Sequence, residues 1–138
     1  MTTVIDTDAL IGLADRSDAL HKPATRIAEA LLHRKARVLL LPTTLTEFAT
    51  VAAKEMGLTQ AKKAVHVLLN RYTLLAVDEV LAFEAVKIYD RQTSKKNTLF
   101  DCYVMAMAVR VSADCIFAFD AGYTHNNFAL AKDFLAQF

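Results

Sequence analysis

The sequence predicts an α/β fold: a three-layer α/β/α sandwich around a central, mostly parallel sheet of four or five strands. Three observations predict it. Short β-rich runs alternate along the chain with stretches of helical periodicity, the signature of strand–helix–strand units. The runs are continuously apolar, as in parallel strands covered on both faces. With Gly 3, Pro 2 and 54% apolar residues in 138 positions, the chain has neither the turn density of an all-β fold nor the polarity of a disordered one.

The elements follow in order. Thr3–Ile5 reads as the first strand, ending at Asp6, and Asp8 stands where it can cap a short helix through Ala9–Ala14. Ala24, Ile27, Ala28 and Leu31 recur at helical spacing and give a helix over His21–Lys35. Val38–Leu41, closed by Pro42, is the second strand. Thr44 through Glu47 spells a capping box, the next helix turns Leu45, Phe48, Ala49, Ala52 and Met56 to one face, and Gly57 ends it. Thr59 caps a further helix with Ala61, Ala64, Val65 and Leu68 inward. Thr73–Val77 is the third strand, and Asp78 caps a helix running to about Thr93. After a polar loop, Ser94–Thr98, the segment Leu99–Ser112 is helical, with Asp101 and Arg110 its only charges, and so is buried on most sides. Cys115–Phe119 is the fourth strand, and the tail holds a short edge strand near Phe128–Ala131 and a terminal helical turn.

Composition excludes several classes. Lys+Arg 16 against Asp+Glu 15 gives a net charge of +1, which rules out coating nucleic acid by bulk charge. Cys102 and Cys115 have neither metal-ligand spacing nor the makings of a disulfide framework, which suits a reducing compartment. The N-terminus lacks the basic region of a signal peptide, and the longest apolar runs fall far short of the ~20 residues a membrane span requires. The expectation is one soluble, cytoplasmic domain over residues 1–138.

In such a sheet, ligands gather at the carboxyl edge of the strands. Topology brings four acids there: Asp6 after the first strand, Glu47 in the first turn after the second, Asp101 at the start of the buried helix, and Asp120 after the fourth strand. Each has a structural reading as cap or turn residue. Together they are harder to explain, because two carboxylates ~4 Å apart repel by about 4 kcal/mol at an effective dielectric near 20. Such a cluster requires raised pKa values or a cation, and oxygen ligands without His or Cys favour Mg²⁺ or Mn²⁺.

The segments Val-Ile-Asp6-Thr-Asp-Ala-Leu, Leu-Thr-Glu47-Phe-Ala, Leu-Phe-Asp101-Cys-Tyr-Val-Met-Ala-Met-Ala and Phe-Ala-Phe-Asp120-Ala-Gly-Tyr resemble, in order and spacing, the four signature segments of PIN-domain ribonucleases. Order, spacing and length are similar to the VapC toxins of toxin–antitoxin pairs. The resemblance implies a metal-dependent endoribonuclease with Asp6, Glu47, Asp101 and Asp120 in its acidic site. Asp6, Asp101 and Asp120 would ligate Mg²⁺ or Mn²⁺, and Glu47 would hold water or complete the shell. It also implies an RNA substrate, a small antitoxin partner and a homodimer, for which the Ala-rich stretches Ala24–Leu32 and Ala49–Ala53 offer shallow apolar faces. The sequence departs from the family at Ala118, where a Thr or Ser is usual two residues before the fourth acid.

Lesser features complete the reading. Asp8 is either an outer-shell acid near the substrate or a helix cap. Lys87, Arg91 and Lys95 repeat at four-residue steps with Lys96 adjoining, as a solvated helix face or a phosphate track; Lys95 and Lys96 are the substrate-binding candidates. Asp6-Thr-Asp8 after a strand also fits a haloacid-dehalogenase-type phosphatase, but Asp120 is followed by Ala-Gly and not by the second acid such enzymes need. A non-catalytic PIN-like module that only binds RNA or protein is the further alternative. A pocket of carboxylates is also a place where a partner's amphipathic helix could insert an Arg in competition with metal.

Overall fold

The computed structural model describes all 138 residues, Met1–Phe138. Strand β1 (Thr2–Ile5) pairs in parallel with β2 (Arg37–Leu40) on one side and with β4 (Cys115–Phe117) on the other. Its Val4 lies level with Leu39 and with Ile116. The short β3 (Thr73–Leu74) adds to β2, giving a four-stranded, all-parallel sheet in the order β3-β2-β1-β4. All four carboxyl ends therefore share one edge.

Alternation along the strands sorts two cores. Ile5, Leu40, Cys115 and Phe117 pack with α1 (Thr7–Ala14), α2 (His21–His33), α3 (Pro42–Met56), α4 (Leu58–Arg71) and α8 (Ala131–Leu135). Val4, Leu39, Leu41 and Ile116 face the other way, onto α5 (Glu79–Asp90), α6 (Leu99–Arg110) and Tyr123 of α7 (Gly122–His125). This is the expected three-layer sandwich. Gly57, at φ 85°, joins α3 to α4 in a conformation that favours glycine. No helix is long and apolar enough to cross a membrane.

Several local expectations change. The tail strand reduces to one parallel bridge, Ile116–Leu130, because the chain turns at once into α8. The third strand stops at Leu74, since beyond it Leu75 and Val77 lie against the α5–α6 core. Helix α3 starts at Pro42, whose fixed φ suits a first helical position. Thr44 is then inside the helix with its hydroxyl buried and unpartnered, and the Thr44–Glu47 capping box does not form. Glu47 lies in the second turn. A capping box forms instead at α6, where Asp101 N–H donates to Thr98 Oγ1 (3.4 Å) and Thr98 N–H donates to Asp101 Oδ2 (2.9 Å).

The four-step basic run is not one helix face, because α5 ends at Asp90, Arg91 caps it and Lys95 lies in the following loop. The Ala-rich faces are not free either: Ala24, Ala28 and Ala52 are buried in the first core. Exposed apolar side chains include Leu32 at the end of the first of these stretches, and Phe83 (62%) and Val109 (64%) on α5 and α6.

Candidate functional site

Asp6 ends β1 at its carboxyl edge, where its N–H donates to Phe117 O of β4 at 3.0 Å. It occupies the N-cap of α1, yet its side chain makes no capping bond. Its Oδ2 instead accepts the phenolic proton of Tyr123, and its Oδ1 is buried without a partner. Burial, with the charges of Asp8 and Asp101 adding, pushes the Asp6 carboxyl up to about 8, against the pull of the Tyr123 hydrogen bond.

Asp8 is not the N-cap of α1 but a residue of its first turn. Its Oδ2 accepts the N–H groups of Phe119 (2.8 Å) and Asp120 (3.0 Å), tying the end of β4 to the start of α1, while Oδ1 is buried and unpartnered. Burial raises its pKa in spite of those two amides. Glu47 reaches across from α3, where its Oε1 accepts from Thr7 Oγ1. It is also raised, first by burial and then by the charges of Asp101 and Asp8. Asp101 on α6 is raised by burial, against its cap bonds to Thr98. Asp120 Oδ1 accepts Gly122 N–H at 2.7 Å.

Asp6, Asp8, Glu47, Asp101 and Asp120 thus come together in an open cleft of about 380 Å³. Asp18, Glu55 and Lys96 also line it, making seven carboxylates and one lysine among the lining residues. Lys95 does not line the cleft. Asp18 and Glu55 escaped the sequence reading because neither follows a strand; one lies in the α1–α2 connection, the other at the far end of α3. Tyr123 escaped it because an aromatic in a helical turn reads as core. It is core, being 1% exposed, but its hydroxyl also lies 3.4 Å from Asp101 Oδ1. Burial and the charges of Asp6 and Asp101 push its pKa well up, so it is a neutral donor.

The donor chemistry fits a hard divalent cation. Asp6, Asp8, Glu47 and Asp120 each commit one oxygen to protein donors, Asp101 has a donor near each of its oxygens, and buried Asp6 Oδ1 and Asp8 Oδ1 have no partner. No three side chains already converge as a ligand set, as expected of acids that repel one another.

No curated protein matches the sequence. Solved structures do match in fold. VapC20 of Mycobacterium tuberculosis, a sarcin–ricin-loop-cleaving toxin, aligns with a TM-score of 0.81 at 21% identity over 94% of this chain and 97% of its own. VapBC-1 from nontypeable Haemophilus influenzae aligns at 0.67 with 16% identity, covering 94% of this chain and 96% of that one. VapBC2 from Rickettsia felis, solved bound to a DNA fragment from their promoter, aligns at 0.70 with 12% identity over 94% and 97%. A family model for the PIN domain matches residues 3–129, spanning all four strands and the acidic cleft. The chain belongs to the PIN domain family.

Proposed function

We propose that the protein is a divalent-metal-dependent endoribonuclease and the toxin of a toxin–antitoxin pair. The observation that carries the reading is the acidic cleft at the carboxyl edge of a PIN-domain sheet, with seven carboxylates and a single cation, Lys96. The likeness in fold to a toxin that cleaves the sarcin–ricin loop supports RNA as substrate.

Asp6, Asp101 and Asp120 would hold Mg²⁺ or Mn²⁺, with Asp8 as an outer acid. When bound, the ion supplies positive charge for the scissile phosphate and makes water more acidic. Glu47, anchored through Oε1 by Thr7, keeps Oε2 to orient the attacking water and accept its proton, a role suited to its raised pKa. Lys96, on the rim, draws a phosphate toward a cleft that would otherwise repel it.

An antitoxin would bind as an amphipathic helix. A groove lined by Leu13, Ala14, Met56 and Val67 runs between α1 and α4 with Arg16, Lys63 and Arg71 at its rim. It adjoins the cleft, to which Ile11 of α1 and Glu55 at the end of α3 contribute. From there an inserted Arg can engage two carboxylates. We also read the protein as a homodimer, joined through the exposed apolar residues of α5 and α6. Phe83→Glu should then convert a dimer to a monomer in sedimentation, and a parent that is already monomeric at micromolar concentration removes this part.

The nuclease reading is tested by incubating the protein with a sarcin–ricin-loop hairpin and with total RNA, with and without Mg²⁺ or Mn²⁺. Asp101→Asn should lose cleavage while keeping its fold, because the amide oxygen can still accept from Thr98 N–H. Full activity in that variant, or no cleavage by the parent under any condition, refutes the reading.

A further inference from the structure

The site holds a buried hydroxyl that packing does not require. Phenylalanine would fill the volume of the Tyr123 ring in the core formed with Val4, Ile116 and Leu130. A hydroxyl taken out of water costs free energy unless it is bonded, and here it is bonded to acids from two separate elements. It donates to Asp6 Oδ2 at the end of β1 and lies 3.4 Å from Asp101 Oδ1 on α6. The ring is itself held in place. Phe128 N–H donates to Tyr123 O at 3.0 Å, and Asn126 Nδ2 donates to the preceding Gly122 O at 2.8 Å and to Gln92 Oε1, just beyond α5, at 3.1 Å.

The kind of donor matters. A Lys or Arg at this position would neutralise the acids and compete with any cation. A phenol fixes their geometry without placing a positive charge among them that would compete with a cation, while Asp6 Oδ1 stays unpartnered. We propose that Tyr123 is a positioning residue that sets Asp6 and Asp101 at a fixed separation to receive a divalent cation. The proposal rests on the metal-dependent reading above and adds to it a residue outside the four acids.

The test uses cation binding without RNA. Mn²⁺ affinity is measured by calorimetry or by electron paramagnetic resonance on the full-length parent and on Tyr123→Phe. Loss of such a supporting hydrogen bond should weaken Mn²⁺ binding about 10-fold or more, with circular dichroism and thermal unfolding close to the parent. Equal affinity in the two proteins overturns the proposal, even if both cleave RNA. A parent that binds no Mn²⁺ overturns it too. A parent that binds Mn²⁺ more tightly than Tyr123→Phe but cleaves no RNA supports this proposal while refuting the nuclease reading. Should Tyr123→Phe unfold, a variant keeping Tyr123 as its only tyrosine (Tyr72→Phe, Tyr89→Phe, Tyr103→Phe) decides the matter. Its near-ultraviolet dichroism should change on Mn²⁺ addition and saturate with binding; a flat signal refutes the role.

Discussion

Asp8, in the first turn of α1, accepts the backbone N–H of Asp120 at 3.0 Å across 112 residues of sequence, and that of Phe119 at 2.8 Å. One candidate acid is thus held at its backbone by another acid's side chain, in addition to the turn its own Oδ1 makes with Gly122 N–H. The clip ties the start of α1 to the carboxyl edge of the sheet just where β4 ends.

Asp8→Ala should therefore act on stability and on the site together. It leaves two amides without their acceptor, a loss of about 1–3 kcal/mol, visible as a lower denaturant midpoint. Asp8→Asn retains an acceptor oxygen and removes a buried charge, so its stability should stay near the parent's. Equal stability in Asp8→Ala and the parent would show that the clip carries no weight.

Without divalent cations, the protein should lose stability as pH rises. Asp6 has an ordinary value of 3.8 and a folded value of about 8, so between these the folded chain holds a proton that the unfolded chain releases. Its contribution is complete below 3.8 and is lost as pH climbs through about 8. Asp8, Glu47 and Asp101 are raised by burial and act in the same direction. Asp15 and Asp78, held below their usual range by hydrogen bonds to Ser17 and Arg110, act oppositely and only in more acid solution. Thermal melts in chelator from pH 4 to 8 should show the decline, and Asp6→Asn should flatten it. An unchanged slope in that variant refutes the assignment.

Gly122 is a packing requirement, not a conformational one. A Cβ there would come within 2.3 Å of Asn97 Oδ1, at the end of a side chain whose Nδ2 donates to Gln92 Oε1 at 2.8 Å. Gly122→Ala should displace Asn97, cost about 1 kcal/mol through that lost bond, and loosen the loop that carries Lys96 and the Thr98 cap. Asn97→Ala should cost a similar amount, and the double variant little more than either alone. Full additivity in thermal melts would refute the shared cause.

A partner that inhibits by inserting an Arg must compete with metal for the same carboxylates. Raising Mn²⁺ should weaken the binding of the cognate inhibitor, and changing its inserted Arg to Ala should abolish that dependence. If the affinity is indifferent to Mn²⁺, the inhibitor blocks RNA from outside the cleft.

Much of this was legible in the sequence because it follows from local patterns. Continuous apolar runs at Val38–Leu41 and Cys115–Phe119, separated by helical periodicity, specify parallel strands buried on both faces, though the fourth strand ends two residues earlier, at Phe117. Parallel strands share one carboxyl edge, so acids that directly follow strands, such as Asp6 and Asp120, had to meet there. Asp78 capped its helix as expected, with Leu81 N–H donating to its Oδ1 at 2.8 Å. What only the tertiary structure decided is which donor each oxygen meets. Thr44 and Glu47 have capping-box spacing, but Pro42 starts the helix two residues earlier and Thr7, from another element, takes the Glu47 side chain. Tyr123 reads as core and is core, yet its hydroxyl ends between Asp6 and Asp101, which lie 117 and 22 residues away in sequence. Periodicity along a chain reports which face a residue turns inward. It carries no information about partners a hundred residues away, because those are chosen by the packing of the sheet and its two helical layers.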